Sequence, residues 1–379
     1  MRHARVRRVT ANPCGAGLAS LRAVNPSELR AQFPVFERLA FLNAGTCGPL
    51  PRAALRAATE VLELAADEGR AHGYFMRMLD LRGELRARYA GVLSANADDV
   101  AITTCTSEGV VRVLAGLDLD EGDEILTSIG EHPGLLGPLA AAKAQRGVTV
   151  RDVAFEQIAD AVSEATRLVA CSHVSWMDGR VVPDLGDLEV PVLLDGAQGI
   201  GAVDFDVTQL GCTFYAGAGQ KWLCGPVGTG MLWVAPQWRE HLRAPGPTYL
   251  NLADPGAGLD AVAHPTAARH DASAHSAEVI AAAVASLEVL EQFGWDAVHE
   301  RTATLSEALA GALAQRELTV SPRDQTTLVS WQDDDAPATR ERLAQAGVII
   351  RDLPGTGLLR ASVGAWNDES DLERLLSAL

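Results

Sequence analysis

Two stretches decide how the chain reads: Val192-Leu193-Leu194-Asp195-Gly196-Ala197-Gln198, and Phe214-Tyr215-Ala216-Gly217-Ala218-Gly219-Gln220-Lys221-Trp222. An apolar run ending in a carboxylate reads as a buried strand with a polar tip, because a carboxylate within the run would be too costly to desolvate. The second stretch repeats the arrangement with a lysine, carried on glycines that let the backbone approach a ligand. Outward from this pair, further apolar runs at 100–103, 124–127, 148–153, 168–171 and 230–234 read as strands. Helical patterns fall at 53–93, with a break at Gly73, and at 108–117, 135–145 and 157–165. Apolar strands alternating with amphipathic helices predict an α/β fold, a mostly parallel sheet covered on both faces. Ligands of such sheets bind at the carboxyl ends of the strands. The polar residues after the strands are therefore expected to converge on one crevice: 104–108, Gly130-Glu131-His132, Ser172-His173-Val174-Ser175, 195–198 and 217–221.

Composition narrows the class. The 379 residues are 47% hydrophobic and 21% charged, which is globular rather than disordered. A formal net charge of -17 argues against nucleic acid or an anionic membrane as a general partner. The six cysteines form no C-x-x-C pair, so neither a zinc ribbon nor a disulfide framework is expected, and a reducing cytoplasm fits. No apolar run is long enough to span a membrane. Residues 1–26 carry Arg2, Arg5, Arg7 and Arg8, contain no acid, and lack the apolar core of a secretory signal; they read as a disordered basic tail. An N-terminal arm at 27–50 and a large domain at 51–270 follow. From 271 to 379 the pattern changes to two long helices, 275–293 and 295–316, and then short strands, as expected of a small C-terminal domain.

Asp195 and Lys221 carry the chemistry. A desolvated lysine forms Schiff bases with carbonyls. Joined to an aspartate able to face a pyridinium nitrogen, it is the protein side of pyridoxal 5′-phosphate (PLP) chemistry. Either residue alone would read as half of an ordinary ion pair. No G-x-G-x-x-G opens a first strand–helix turn, which disfavours a dinucleotide-binding enzyme.

With these motifs in order, from Phe36 to the C-terminus, the chain resembles the class V aminotransferases, PLP enzymes of the aspartate-aminotransferase fold that include cysteine desulfurases, selenocysteine lyases and isopenicillin N epimerases. The resemblance implies Lys221 as the Schiff-base lysine, Asp195 as the partner of the pyridine nitrogen, and Gln198, with Ser175, as contacts to the ring oxygen. It implies His132 as the imidazole stacked on the ring, and Thr106, Ser107 and Gln220 around the phosphate. Arg360 becomes the clamp for the substrate α-carboxylate, with Arg351 its rival, and the segment from Asn43 to Thr46 lines the substrate pocket. The family works as a homodimer with shared active sites, and residues 269–274 match the segment that reaches across. Two family hydroxyls are replaced, by Ala218 and Ala274. Trp176 stands where the desulfurase branch has an asparagine. The span from Arg351 to Leu359 lacks the cysteine on which desulfurases carry sulfur, so desulfuration is disfavoured. What remains is a lyase acting on a small α-amino acid after loss of the Cα proton, by β-elimination or C–S cleavage. Transamination, epimerisation and a non-catalytic PLP-binding role are the alternatives; intact Lys221, Asp195, His132 and Arg360 argue against the last.

Overall fold

The structure, a computed structural model, describes residues 25–379, so the basic tail expected over 1–26 lies outside the described residues except for Asn25 and Pro26. The chain opens with α1 (Pro26–Arg30), capped by the Asn25 side chain, then β1 (Ala40–Phe41), α2 (Arg52–Asp67) and α3 (His72–Val92). The large sheet is built from β2 (Val100–Thr103), β3 (Glu124–Ser128), β4 (Thr149–Val153), β5 (Thr166–Ser172), β6 (Val192–Asp195), β7 (Phe214–Ala218) and β8 (Gly230–Val234). Between them run α4 (Thr106–Gly116) and α5 (Pro133–Arg146). The strand order is β2-β8-β7-β6-β5-β3-β4, parallel throughout except for β8, which is antiparallel to both neighbours. The mostly parallel sheet expected from the alternation is the one observed.

Strand alternation sends neighbouring residues to opposite faces. Val169, Cys171, Val192, Leu194 and Tyr215 pack with α3 and with Ile280, Val284 and Leu287 of α6 (Ala277–Phe293). Leu168, Ala170, Leu193, Phe214 and Ala216 pack with Val110 and Val113 of α4 and Leu135 and Leu139 of α5. A further core gathers α7 (Trp295–Ala314), β9 (Leu328–Gln332), α8 (Ala336–Gln345), β12 (Leu358–Ser362) and α9 (Glu369–Ala378) around Leu309, Trp331, Leu343 and Leu359. Ala40 and Leu42 of the arm belong to that core. Here β11 (Arg351–Leu353), β12 and β9 form an antiparallel sheet, while β1 pairs in parallel with β10 (Val348–Ile349).

Two local expectations are corrected. Residues 157–165 form no helix: a single 3₁₀ turn, Phe155–Gln157, is followed by turns. The Arg151 guanidinium takes the Ala161 carbonyl at 2.7 Å, and the Ser163 and Thr166 hydroxyls bond to Glu124 and to each other, so local side-chain bonds replace a helical ladder. The helical stretch at 53–93 breaks not at Gly73, which lies within α3, but between α2 and α3, where Gly69 has φ +75°.

The arm reaches the lysine loop. The Gly48 N–H donates to the Gln220 carbonyl at 2.8 Å, and a Cβ at position 48 would lie 2.0 Å from the Lys221 carbonyl oxygen, so only glycine fits. Trp222, Cys224, Phe33, Ala44, Phe293 and Trp366 fill the junction between loop, arm and C-terminal elements. A second tie is ionic. Asp271 accepts from Arg82 at 2.8 Å, from Arg86 at 2.6 and 3.0 Å, and from the Ile102 N–H at 2.8 Å, holding the segment before α6 against α3 and β2. Removing one partner from a buried charge network costs about 3–5 kcal/mol. Asp271→Ala is therefore expected to lower the unfolding free energy by about that amount in a urea titration, with an unchanged slope.

Candidate active site

The carboxyl ends of the large sheet, the arm and the β11–β12 hairpin border a cleft of roughly 210 Å³. Its lining includes Thr46, Thr106, Ser107, His132, Asp195, Gln198, Gln220, Lys221, Arg351 and Arg360. Most of the polar clusters predicted at the strand ends therefore meet here.

Asp195 ends β6, and its Oδ1 accepts from the Ala197 N–H at 3.0 Å. Burial raises its carboxyl above the ordinary carboxylate range, opposed by the charge of Lys221 and by that hydrogen bond. For Lys221 burial is again the largest influence, lowering the ammonium to about 8; Asp195 pulls it back up, and Arg360 and Arg351 push it further down. His132 caps α5, with Nδ1 accepting from the Gly134 N–H at 2.9 Å. Burial, then Lys221, Arg351 and Arg360, lower it to about 4, so the imidazole is neutral at pH 7 with Nε2 carrying its proton. Its ring meets Trp176 edge-on, centroids 5.0 Å apart. Gln198 is fixed from both ends: its amide donates to the Gly45 carbonyl at 2.8 Å and accepts from the Trp222 indole at 3.0 Å.

At the opposite end α4 begins at Thr106, where Cys105 offers no capping side chain. Free first-turn N–H groups and the positive end of the helix dipole face the cleft. The Thr106 hydroxyl and the Gln220 side-chain oxygen are buried there without partners. Across the cleft Arg360 is fully buried; Nη1 donates to the Trp176 carbonyl at 2.5 Å, while Nε and Nη2 have no partner. Buried polar groups rarely stay unpaired. Orphaned groups at a helix N-terminus and on an arginine fork, with a buried Asp–Lys pair between them, fit a phosphorylated pyridine cofactor and a substrate carboxylate.

Two predicted residues do not reach the cleft. Ser175 turns away: its N–H donates to the Arg180 carbonyl, the Val174–Val181 bridge bends the chain back, and the side chain lines an adjoining hollow with Glu131 and Ser172. Asn43 stands behind the wall, its Oδ1 accepting from the Thr46 hydroxyl at 2.8 Å, so that Gly45 and Thr46 supply the lining. Arg351, read as a rival to Arg360, lines the cleft beside it. Trp222 supports Gln198, a role no sequence expectation assigns it; its place directly after the lysine, in an otherwise small-residue loop, is the signal for it. Cys105 lines the phosphate-facing end, Cys47 is exposed, and the turn of the β11–β12 hairpin holds no cysteine.

Comparison with known proteins agrees with this geometry. The family described as Aminotransferase class-V matches residues 40–375. The chain belongs to the class V aminotransferase family. It is 31% identical to a probable cysteine desulfurase of Pseudomonas aeruginosa over 93% of this chain and 97% of that one. A probable cysteine desulfurase of Methanothermobacter thermautotrophicus is 33% identical, over 62% of this chain and 63% of that one. An isopenicillin N epimerase of Amycolatopsis lactamdurans is 33% identical, over 54% and 56%. Among solved structures, a complex of the cystine C–S lyase C-DES with its reaction product cysteine persulfide superposes with a TM-score of 0.84, at 28% identity, covering 91% of this chain and 98% of that one. This class V chain is thus a PLP-dependent enzyme of the aspartate-aminotransferase fold. No described helix is long and apolar enough to cross a membrane.

Borohydride reduction of the holoenzyme is expected to fix PLP covalently on Lys221, and Lys221→Ala to abolish that linkage; retained linkage in the variant would move the Schiff base elsewhere. At the phosphate end Ala218 lines the cleft and offers no hydroxyl. A hydrogen bond to a charged group is worth about 1.5–3 kcal/mol. Dialysis should therefore strip part of the PLP from the wild type, and Ala218→Ser should tighten PLP binding at least about tenfold in a fluorescence titration.

Proposed function

We propose that the chain is a homodimeric lyase that removes the Cα proton of a small α-amino acid and expels a sulfur leaving group from Cβ. The observation that carries this reading is the β11–β12 hairpin. It closes from Leu353 to Leu358 in a turn with Gly355 and Gly357 at positive φ, and presents no thiol where a desulfurase would need one. Burial holds the thiols of Cys171 and Cys224 far above the usual range, so neither is a nucleophile. The likeness to a cystine C–S lyase supports the same reaction class.

The cofactor, when bound, supplies the electron sink for the charge left at Cα. Asp195 would hold the positive charge of the pyridine nitrogen, and Thr106, Ser107 and Gln220 would receive the phosphate at the start of α4. Gln198, pinned by Gly45 and Trp222, keeps one amide hydrogen free for the ring oxygen. The neutral His132 ring would lie against the cofactor, held by Gly134 and Trp176. Arg360 would hold the α-carboxylate through its unpartnered Nε and Nη2. Lys221 near pKa 8 can take the Cα proton at neutral pH and return it. The Cβ–S bond then breaks with its electron pair going to sulfur, and water uptake yields pyruvate and ammonium. For the dimer, Ser273 and Ala274 stand exposed on the segment after Asp271, open to a second subunit.

Incubation with cysteine is expected to give pyruvate, ammonium and sulfide in equal amounts and no persulfide on the protein by mass spectrometry. Alanine with a protein persulfide would restore desulfuration. Recovery of the D-amino acid would establish epimerisation, and appearance of the 2-oxo acid only with PLP conversion to its amine form would establish transamination.

A further inference from the structure

We propose that Arg351 forms a second anion subsite beside Arg360, so that the amino acid handled here carries a second negative group in addition to its α-carboxylate. The inference deepens the proposed function and rests on its assignment of the α-carboxylate to Arg360.

The two arginines are directly opposed across the antiparallel β11–β12 pair. Opposed residues share one face of a sheet with Cα atoms about 4.5–5.5 Å apart, and like charges placed so are destabilising. Both side chains line the same cleft. Among the described residues neither meets a carboxylate. Asp352, the nearest acid in sequence, turns to Arg340 at 2.9 Å. Arg351 makes one long contact, Nη1 to the Thr46 hydroxyl at 3.4 Å, and stands 5.9 Å from the Trp176 ring centroid. Other sheltered arginines of this chain find acids: Arg82 and Arg86 meet Asp271, and Arg30 meets Asp371.

The charges of the cleft lead to the same partner. Asp195 faces the pyridine nitrogen and the start of α4 faces the phosphate, both at the cofactor side. One substrate carboxylate satisfies Arg360. The Arg351 guanidinium is then left over at the substrate side, on a hydroxyl and an indole face, neither of which neutralises it. A planar fork of donors with no acid nearby is suited to a carboxylate or another oxyanion. The ligand class is an amino acid with a short acidic side chain or, for C–S cleavage, one whose sulfur leaving group itself bears a carboxylate. Trp176 fixes the spacing between the two positions, because its carbonyl holds Arg360 while its ring lies beside Arg351.

The test begins with binding of unreactive acids to the holoenzyme by calorimetry. Succinate, glutarate and adipate are compared with butyrate. At least one dicarboxylate is expected to bind tenfold or more tightly than butyrate. Arg351→Gln should remove that advantage while leaving butyrate binding unchanged, and Arg351→Lys should restore part of it. Equal affinity for mono- and dicarboxylates, or an Arg351→Gln variant that weakens both alike, would overturn the second subsite, as would a carboxylate of a second subunit found seated on Arg351. Turnover separates this from the lyase reading. S-carboxymethylcysteine is expected to exceed S-methylcysteine in kcat/KM by tenfold or more, and by less in Arg351→Gln. Absence of pyruvate from both, with the dicarboxylate preference intact, would refute the lyase and leave the subsite standing.

Discussion

A buried aspartate beside a lysine is the constraint on which the site depends. Asp195 ends β6, and Lys221 follows the neighbouring parallel strand β7. Each charge loses water on folding, and neither alone would stay ionised in such surroundings. Their mutual attraction offsets part of that loss, while burial, with the two guanidiniums nearby adding to it, keeps the lysine below its ordinary value. The pair is poised rather than neutralised: a carboxyl raised above its ordinary value by burial and an amine lowered to about 8.

Much of the remaining fold serves to hold that pair in register. Parallel pairing of β5, β6 and β7 brings Ser172, Asp195 and Ala216 to a common level. The arm then crosses from the C-terminal sheet to the lysine loop. Its passage is so close at Gly48 that a side chain would strike the Lys221 backbone. A similar close approach occurs at Gly45, where a Cβ would sit 3.0 Å from Nη2 of Arg360 and 2.7 Å from the Ser362 hydroxyl. One arm therefore sets the distance between Lys221 and Arg360. Trp176 makes the reciprocal link from the large sheet, its carbonyl on Arg360 and its indole on the Gly130 carbonyl beside His132.

Arg360 shows how burial can hold an otherwise unfavourable arrangement ready for an anion. Arg360 is fully enclosed, and burial, with Arg351 adding to it, lowers its guanidinium to about 9. The protein satisfies only one of its nitrogens by a backbone carbonyl and leaves the cleft-facing donors unpaired. Such an arrangement costs stability and favours the binding of an anion, because the missing partner restores both charge balance and hydrogen bonds.

The order of strands and helices, the PLP chemistry, and the positions of Asp195, Lys221, His132 and Gln198 could be read from the sequence. The elements, Asp195 and Lys221 follow from local rules, apolar runs with polar tips and glycines around a lysine, whereas His132 and Gln198 follow only from the resemblance to class V aminotransferases. The break expected at Gly73 and the helix expected at 157–165 do not form, because the positive φ lies instead at Gly69 and because Arg151 and Glu124 of neighbouring strands bind the second segment. Motif position points to Ser175 and Asn43, but side-chain direction is set by a bridge at Val174 in one case and by Thr46 in the other. Arg351 and Arg360 could be read only as alternatives, since two residues nine positions apart carry no sign of sharing a face. The hairpin decided that both enter the cleft, because antiparallel pairing puts opposed residues on one side of the sheet whatever their separation along the chain.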